Sequence, residues 1–362
     1  MSENKTTNNT ASDESLVELL QSNTKDVMLE IAAKHEADVP KSYTKAKIAE
    51  RMVPKMVQDF SALLETFGQT EWATLTKIMH QTEETHFTDE DAKLISLLAK
   101  SGYLYIEDDE RFAPFLPVEM TDCIEKAEQN TNLQGQLQQN QKLIDYATAL
   151  VHLYGVYPIA QLTFVWNEYH ENKITDEEVF SNLKPMLNWQ TEYTLEEGIV
   201  YSKLFQSMEE VKTVLDRLHT IPYYMPTEKE LAYYAENTID IDSPHYLNLK
   251  NYFDSKPLVE SVKAEAVYAI AYGSVIGTSG KSIDQILQQL GVSFDSKQEA
   301  SEFLAIYKEL DDATRKWDRH GFMPIEMRSE KNQQNKKPNQ PIIVHKIGRY
   351  EPCPCGSGKK YK

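Results

Sequence analysis

Leu258-Val-Glu-Ser-Val-Lys-Ala-Glu-Ala-Val-Tyr-Ala-Ile-Ala-Tyr272 is the stretch that indicates most clearly how this chain folds. Its apolar side chains recur every three or four residues, which is the spacing of one face of an α-helix and not the alternation of a half-buried strand. The periodic positions are Leu258, Val259, Val262, Ala266, Ala269 and Ile270. We therefore predict a helix here that packs one apolar face against neighbouring elements.

Hydroxyl residues followed three positions later by Glu or Gln predict helix starts on both sides of this stretch. In such a capping box, two side chains satisfy backbone N–H groups that have no partner in the first helical turn. The pattern occurs at Thr175–Glu178, Thr194–Glu197, Thr227–Glu230, Ser282–Gln285 and Ser296–Glu299. These starts predict a helical body over residues 121–327 and a mainly α, multi-domain helical protein.

The composition is that of a globular protein. The chain has 362 residues, of which 41% are hydrophobic and 26% charged, enough for two or three domains. No apolar run reaches the 18 residues of a membrane span. Residues 1–14 lack the apolar core of a signal peptide, so we expect a disordered tail there. The three cysteines do not form a dispersed, even set, and we therefore expect a cytoplasmic protein without disulfides.

Residues 15–58 predict two short amphipathic helices, an extended segment around Pro40, and a further helix capped by Thr44. This order resembles the helix–extended loop–helix modules of the SAP and Rho N-terminal type, which often bind nucleic acid. Residues 15–57 hold seven basic and six acidic residues. This balance favours a small packing or docking domain, with nucleic-acid binding as the alternative.

Residues 59–120 have the element order of a winged helix. Helical patterns at Asp59–Phe67, Glu71–His80 and Thr88–Lys100 precede a β-hairpin that we predict around an Asp108-Asp109 turn. Residues 61–120 contain twelve acidic and four basic residues, which disfavours contact with a phosphate backbone. We expect this module to pack against protein.

The net charge of −18 is unevenly distributed along the chain. Residues 331–362 carry eight basic residues and one acidic residue, a local charge of +7, so the remaining chain carries −25. An acidic body repels phosphate groups within a Debye length of about 8–10 Å. If the chain contacts nucleic acid, we expect the basic tail to take part, through Arg349, Lys359 and Lys360.

The tail also carries the pattern that predicts a metal site. Residues 328–341 have almost no apolar side chains, which predicts a flexible linker over residues 328–345. In the tail, residues 346–362, Cys353-Pro-Cys355 precedes Gly-Ser-Gly-Lys-Lys. Two thiolates separated by one proline can enter the same turn, and zinc prefers such ligands. We predict Cys353 and Cys355 as Zn²⁺ ligands, and Cys123, on a predicted helix, as a packed thiol.

The string Ile347–Lys362 resembles the SEC-C motif, found at the C-terminus of the Sec translocase motor ATPase and on many otherwise unrelated bacterial proteins. The nine residues from Cys353 to Tyr361 match the family pattern one by one. The resemblance implies a short zinc-knuckle tail that docks on a protein or ribosome partner. Because the family pattern continues with two more ligands, we expect either a longer complete chain or ligands from His345, His320 or a second chain.

Two further patterns have both a structural and a functional interpretation. Gly273–Ser282 imitates a phosphate-binding loop, but Val275 stands where the first glycine is needed, so we predict a helix–helix turn. The tyrosines of residues 222–253 could stack on bases, but interspersed acidic and apolar residues favour core packing.

Three hypotheses follow. The first is a non-enzymatic zinc-binding adaptor of a bacterial cytoplasm that docks on a protein or ribonucleoprotein. The second is a nucleic-acid-associated regulator that uses the N-terminal module and the basic tail. The third is an enzyme with an active site in the helical body, for which the sequence shows no catalytic motif.

Overall fold

The computed structural model describes residues 14–82, 84–106, 113–187, 192–277 and 280–328. The described residues are mainly α-helical, as the sequence predicts. They divide into two compact units, one comprising residues 14–144 with 184–187 and the other residues 145–183 with 192–328. None of the described helices combines the length and the apolar content that crossing a bilayer requires.

The first unit is built from helices and one small hairpin. Its strands β1 (Tyr105–Ile106) and β2 (Pro114–Phe115) pair antiparallel, with Tyr105 opposite Phe115, and the predicted turn between them lies outside the described residues. The elements are α1 (Leu16–Ser22), α2 (Lys25–Lys34), α3 (Lys45–Leu64), α4 (Gln69–Met79), α5 (Asp89–Lys100), β1 (Tyr105–Ile106), β2 (Pro114–Phe115), α6 (Val118–Glu128) and the start of α7 (Leu133–Tyr154).

The N-terminal helices begin and end close to where the sequence predicts. Ser15 caps α1 in a capping box with Glu18, and Thr24 and Thr44 cap α2 and α3 through their side-chain oxygens. The predicted order of three helices followed by a hairpin is also present in residues 45–115.

Helix α3 runs without a break through Pro54 and through the boundary that we placed between residues 58 and 59. The sequence-based prediction of a separate helix at Asp59–Phe67 is therefore wrong. A proline inside a helix costs about 3 kcal/mol, because it removes one hydrogen bond and clashes with the preceding turn. Burial of a large apolar side chain contributes about 1.5–3 kcal/mol. Buried residues continue at four-residue spacing on both sides of the proline, and their packing outweighs it; they are Ile48, Met52, Met56, Phe60 and Leu64.

The second unit adds an antiparallel sheet of three strands, β3 (Val156–Pro158), β4 (Tyr193–Glu196) and β5 (Ile199–Ser202), in the order β3-β5-β4, which the sequence did not predict. Its elements are the end of α7, β3 (Val156–Pro158), α8 (Ile159–Tyr169), α9 (Asp176–Met186), β4 (Tyr193–Glu196), β5 (Ile199–Ser202), α10 (Met208–Leu218), α11 (Glu228–Glu236), α12 (Pro244–Asp254), α13 (Glu260–Ile276), α14 (Gly280–Gln289) and α15 (Lys297–Asp312). The predicted central helix corresponds to α13, which buries Ala266, Val267 and Ile270 in the core of this unit.

Three of the five predicted helix starts are correct. Thr175, Thr227 and Ser296 each accept a hydrogen bond from the backbone N–H three residues later. The start at Thr194 is wrong, because residues 193–202 form a β-hairpin whose turn has Glu197 and Gly198 at φ +51° and +76°. Two successive positive φ values are typical of a two-residue hairpin turn that matches the twist of the strands. The start at Ser282 is also wrong, because α14 begins at Gly280.

Candidate metal centre and charged clusters

The predicted metal ligands Cys353 and Cys355 lie outside the described residues, as do the predicted contact residues Arg349, Lys359 and Lys360. The described part of the chain contains no group of three or more His, Cys, Asp or Glu side chains arranged to hold a metal ion.

Cys123 is a packed thiol, as expected. It lies on the buried face of α6. The Ser61 hydroxyl donates a hydrogen bond to Cys123 Sγ over 3.4 Å, and the thiol points towards the carbonyl of Val57 at 3.9 Å. Its surroundings are apolar and helical, so Cys123 is a suitable control cysteine for metal-binding experiments.

His320 was one candidate for an additional zinc ligand, and the structure places it in the interior of the second unit. The residue is 2% exposed, and its ring stacks on Tyr223 with centroids 4.0 Å apart. Nδ1 lies 2.8 Å from the carbonyl oxygen of Ile221, which can only accept, so Nδ1 carries the proton. Burial lowers the pKa of His320, although the bond to Ile221 acts in the opposite direction. His320 is thus a neutral, enclosed histidine.

The densest charged cluster of the second unit surrounds Arg315, and the sequence analysis did not identify it. Arg315 Nη2 donates to Glu230 Oε1 over 2.7 Å, and Nη1 donates to Glu326 Oε2 over 3.2 Å. The same guanidinium lies over the ring of Tyr224, 3.5 Å from its centroid. Burial alone would raise the pKa of Glu230, but hydrogen bonds from Thr227 and the charge of Arg315 hold it below its ordinary value.

The two residues that follow Arg315 are also held in the interior. Lys316 Nζ donates to Asp311 Oδ1 over 2.5 Å and to the Ser274 carbonyl over 3.1 Å. Trp317 Nε1 donates to the His152 carbonyl over 2.8 Å. The cavity beside Arg315 and His152 measures about 20 Å³, room for a water molecule. This cluster joins the C-terminal residues of the second unit to α11, α13 and the end of α7.

The tyrosines predicted to pack in the core largely do so. Tyr234 and Tyr252 are buried. Burial raises the pKa of Tyr223 and Tyr224, the latter also through its hydrogen bond to Glu230 and against the effect of Arg315. These side chains are parts of the fold and do not form an open stacking surface.

An unpaired basic surface lies on the first unit, at the loop before α3 and along the first turns of α3. Between residues 41 and 55 five residues are basic and Glu50 is the single acidic one. Lys47 and Arg51 are exposed one turn apart on α3. Lys47 Nζ lies 4.3 Å from the ring centroid of Tyr43. The surface ends at Lys55, which pairs with Asp59 over 2.5 Å.

In the described part of the chain, four cations of this surface have no carboxylate within salt-bridge distance; they are Lys41, Lys45, Lys47 and Arg51. We refer to these four residues as the basic surface.

Comparison with known proteins places the tail in a defined class. The SEC-C motif family matches residues 351–362, which include Cys353, Cys355, Lys359 and Lys360 but not Arg349. A UPF0225 protein of Geobacter sulfurreducens is 41% identical over 59 residues, which are 16% of this chain and 27% of that protein. The chain thus spans about a quarter of the length of this relative. No solved structure matches the chain.

Proposed function

We propose that this protein is a zinc-binding adaptor whose SEC-C-type tail docks on a protein or ribonucleoprotein partner. The observation that carries the proposal is the match of the SEC-C motif family to residues 351–362, which contain both tail cysteines.

In the proposed site, the thiolates of Cys353 and Cys355 bind Zn²⁺ at about 2.3 Å, the usual zinc–sulfur distance. The charges of Lys359 and Lys360 favour the thiolate form. Two further ligands complete the tetrahedron, and the candidates are His345, a second chain, and residues that a longer chain carries after Lys362. His320 is a poor candidate, because its ring is enclosed beside Tyr223.

The test is the zinc content of the purified chain, measured by elemental mass spectrometry. We expect bound zinc in the unmodified chain and in Cys123→Ala, and loss of most of it in Cys353→Ser and in Cys355→Ser. Cys123→Ala is the matched control, because it removes a cysteine whose thiol packs on α3. Equal zinc in all four proteins, or none in the unmodified chain, would overturn the assignment of the ligands.

The docking part of the proposal has its own test. If the metal-bound tail binds ribosomes, the unmodified chain co-sediments with them and the Cys353→Ser variant does so severalfold less. Equal co-sedimentation of both proteins would show that the tail does not make the contact. Absence of both from the ribosome fraction would leave a protein partner as the remaining form of the adaptor proposal.

The basic surface of the first unit favours a second candidate function, association with nucleic acid. Among the residues that the structure describes, no carboxylate lies within salt-bridge distance of its four cations, although the chain as a whole is strongly acidic. In a plot of the logarithm of the binding constant against the logarithm of the salt concentration, each phosphate that the protein neutralises adds about −0.9 to the slope. Four contacts therefore predict a loss of about a hundredfold in affinity between 50 and 200 mM salt.

Fluorescence anisotropy with a labelled oligonucleotide measures this slope. We expect Lys47→Ala/Arg51→Ala to weaken binding and to reduce the slope by about two. Lys93→Ala/Lys126→Ala is the matched control, since it removes two exposed cations of the same unit away from the basic surface. A slope near zero, or equal effects of both double variants, would exclude the basic surface as a phosphate-binding site.

A further inference from the structure

One face of α13 presents Tyr268 to solvent beside the half-buried Tyr272. Glu265, Tyr268, Tyr272 and Ile276 follow each other at three- and four-residue spacing, so they lie along one side of the helix. Tyr268 is 52% exposed, which is unusual for a large aromatic side chain of this unit. Its ring stacks on that of Tyr272, with centroids 5.7 Å apart and planes at 18°. We call these four residues the tyrosine face.

Glu265 and Tyr268 are exposed on the tyrosine face, and Tyr272 is half-buried beside them. Within the described residues, the hydroxyls of Tyr268 and Tyr272 have no hydrogen-bond partner. Glu265 is exposed one turn before Tyr268 and adds a negative charge. Burial raises the pKa of Tyr272 to about 12, with smaller contributions from Tyr268 and Glu192, so a second carboxylate acts on this face.

We propose that the tyrosine face binds residues 336–341 of the same chain, Lys-Lys-Pro-Asn-Gln-Pro. Pro338 and Pro341 are three residues apart, which places them on one edge of a polyproline II helix with three residues per turn. Surfaces lined by aromatic rings are the usual binding sites of such segments. The two lysines before Pro338 match the negative charge of Glu265 at the other end of the face.

The length of the chain allows this contact. Arg328, the last described residue, pairs with Asp312 over 2.7 Å. The neighbouring Asp311 accepts from Lys316, which also donates to the Ser274 carbonyl on α13. From Ser274 the helix reaches Tyr268 within about 9 Å, at 1.5 Å per residue. The eight residues from 328 to 336 span up to about 28 Å when extended, about three times the length of α13 between Ser274 and Tyr268.

The contact would hold the start of the metal-binding tail beside the second unit. Since residues 336–341 precede the tail at residues 346–362, a bound segment restricts the volume that the tail can search. A partner that binds the same face would release the tail. This inference does not depend on zinc, and it holds or fails independently of the proposed metal site.

Photo-crosslinking in the full chain tests the proposal. With p-benzoylphenylalanine in place of Tyr268, we expect crosslinks within one chain to residues 336–341, with a yield independent of chain concentration. The Pro338→Ala/Pro341→Ala substitution should reduce that yield severalfold. The matched control carries the same probe in place of Leu304, which is 55% exposed on α15.

Three outcomes would overturn the proposal. The first is crosslinking from position 268 only between chains, which would assign the face to a second copy. The second is an equal yield to residues 336–341 from position 304, which would indicate unspecific encounters. The third is the absence of any crosslink to residues 336–341.

Discussion

Arg315 lies over the ring of Tyr224, and the Tyr224 hydroxyl donates to the carboxylate of Glu230 that pairs with the same arginine. Glu230 also accepts the backbone N–H of Thr227 and so completes the cap of α11. One carboxylate therefore joins a helix start, an aromatic ring and a buried cation. This relationship makes Arg315 the residue on which the C-terminal part of the second unit depends most.

Replacement of Arg315 by alanine should destabilise the protein strongly. Breaking a buried ion pair costs about 3–5 kcal/mol when it leaves an uncompensated charge, and the partial exposure of Glu230 and Glu326 reduces this to about 2–3 kcal/mol. Urea unfolding measures the free energy of unfolding. Arg328→Ala is the control, because its pair with Asp312 is exposed and should contribute under about 1 kcal/mol. Equal losses in both variants would contradict the role of Arg315.

Two glycines with similar backbone angles should respond differently to alanine. Gly155 and Gly198 have φ values of +72° and +76°, which any alanine adopts at a cost of about 1–2 kcal/mol. A Cβ at Gly155 would lie 2.3 Å from the ring of Trp317, whereas a Cβ at Gly198 meets no atom within 4 Å. We expect Gly155→Ala to lower the free energy of unfolding by about 1–3 kcal/mol more than Gly198→Ala. Similar thermal midpoints for the two variants would disprove the close packing of Trp317.

His320 should make stability depend on pH in a defined window. Burial lowers its pKa below 6.5 in the folded protein, so the unfolded chain binds a proton at a higher pH than the folded chain does. The free energy of unfolding therefore has its full value, as far as His320 is concerned, above pH 6.5. It decreases as the pH falls below that value. His320→Asn, which tolerates the φ of +47° at this position, should flatten the dependence. An unchanged slope of the urea midpoint against pH would assign the dependence to other groups.

Pro54→Ala should stabilise the first unit. Pro54 lies in the interior of α3, is exposed, and lacks the N–H that would bond to the preceding turn. Alanine restores that donor and relieves the clash, so we expect the free energy of unfolding to rise by about 1–3 kcal/mol. Circular dichroism during thermal unfolding measures the change. A lower thermal midpoint in Pro54→Ala would contradict this prediction and would mean that α3 needs the proline for its packing against neighbouring helices.

The sequence predicts elements well where one local signal dominates. The period of apolar residues in α13 and the hydroxyl caps at Thr44, Thr175 and Thr227 each depend on residues within one or two turns. These elements appear in the structure close to the predicted positions. The mainly α fold follows from them, because the described helices outnumber the short strands.

Elements that depend on distant partners were missed. Thr194 and Glu197 have the spacing of a capping box, but pairing of β4 with β5, and of β5 with β3, outweighs that local preference. Arg315 stands in a charged string that looks exposed, and its burial depends on Glu230, which lies 85 residues away. The spacing of apolar residues along a helix or strand does not indicate contacts between residues that lie so far apart in the sequence.

The candidate metal site, in contrast, was predicted from residues that are adjacent in the sequence. Cys353 and Cys355 were found from nine consecutive residues, because ligand type and spacing in a short motif carry the chemistry of zinc. The SEC-C motif family matches residues 351–362, which contain both cysteines, and their role as zinc ligands stays a prediction. The identity of the other two ligands stays a prediction, since it depends on residues or chains that the motif does not contain.

Titration of the purified full chain with Co²⁺ tests the central claim most directly, because cobalt takes the place of zinc and absorbs light in a way that reports thiolate ligation. The unmodified chain and Cys123→Ala should develop a thiolate-to-cobalt charge-transfer band together with the strong visible bands of a tetrahedral site. Cys353→Ser/Cys355→Ser should show neither. Identical spectra for this double variant and the unmodified chain, or no charge-transfer band in any of them, would contradict zinc binding by the tail cysteines.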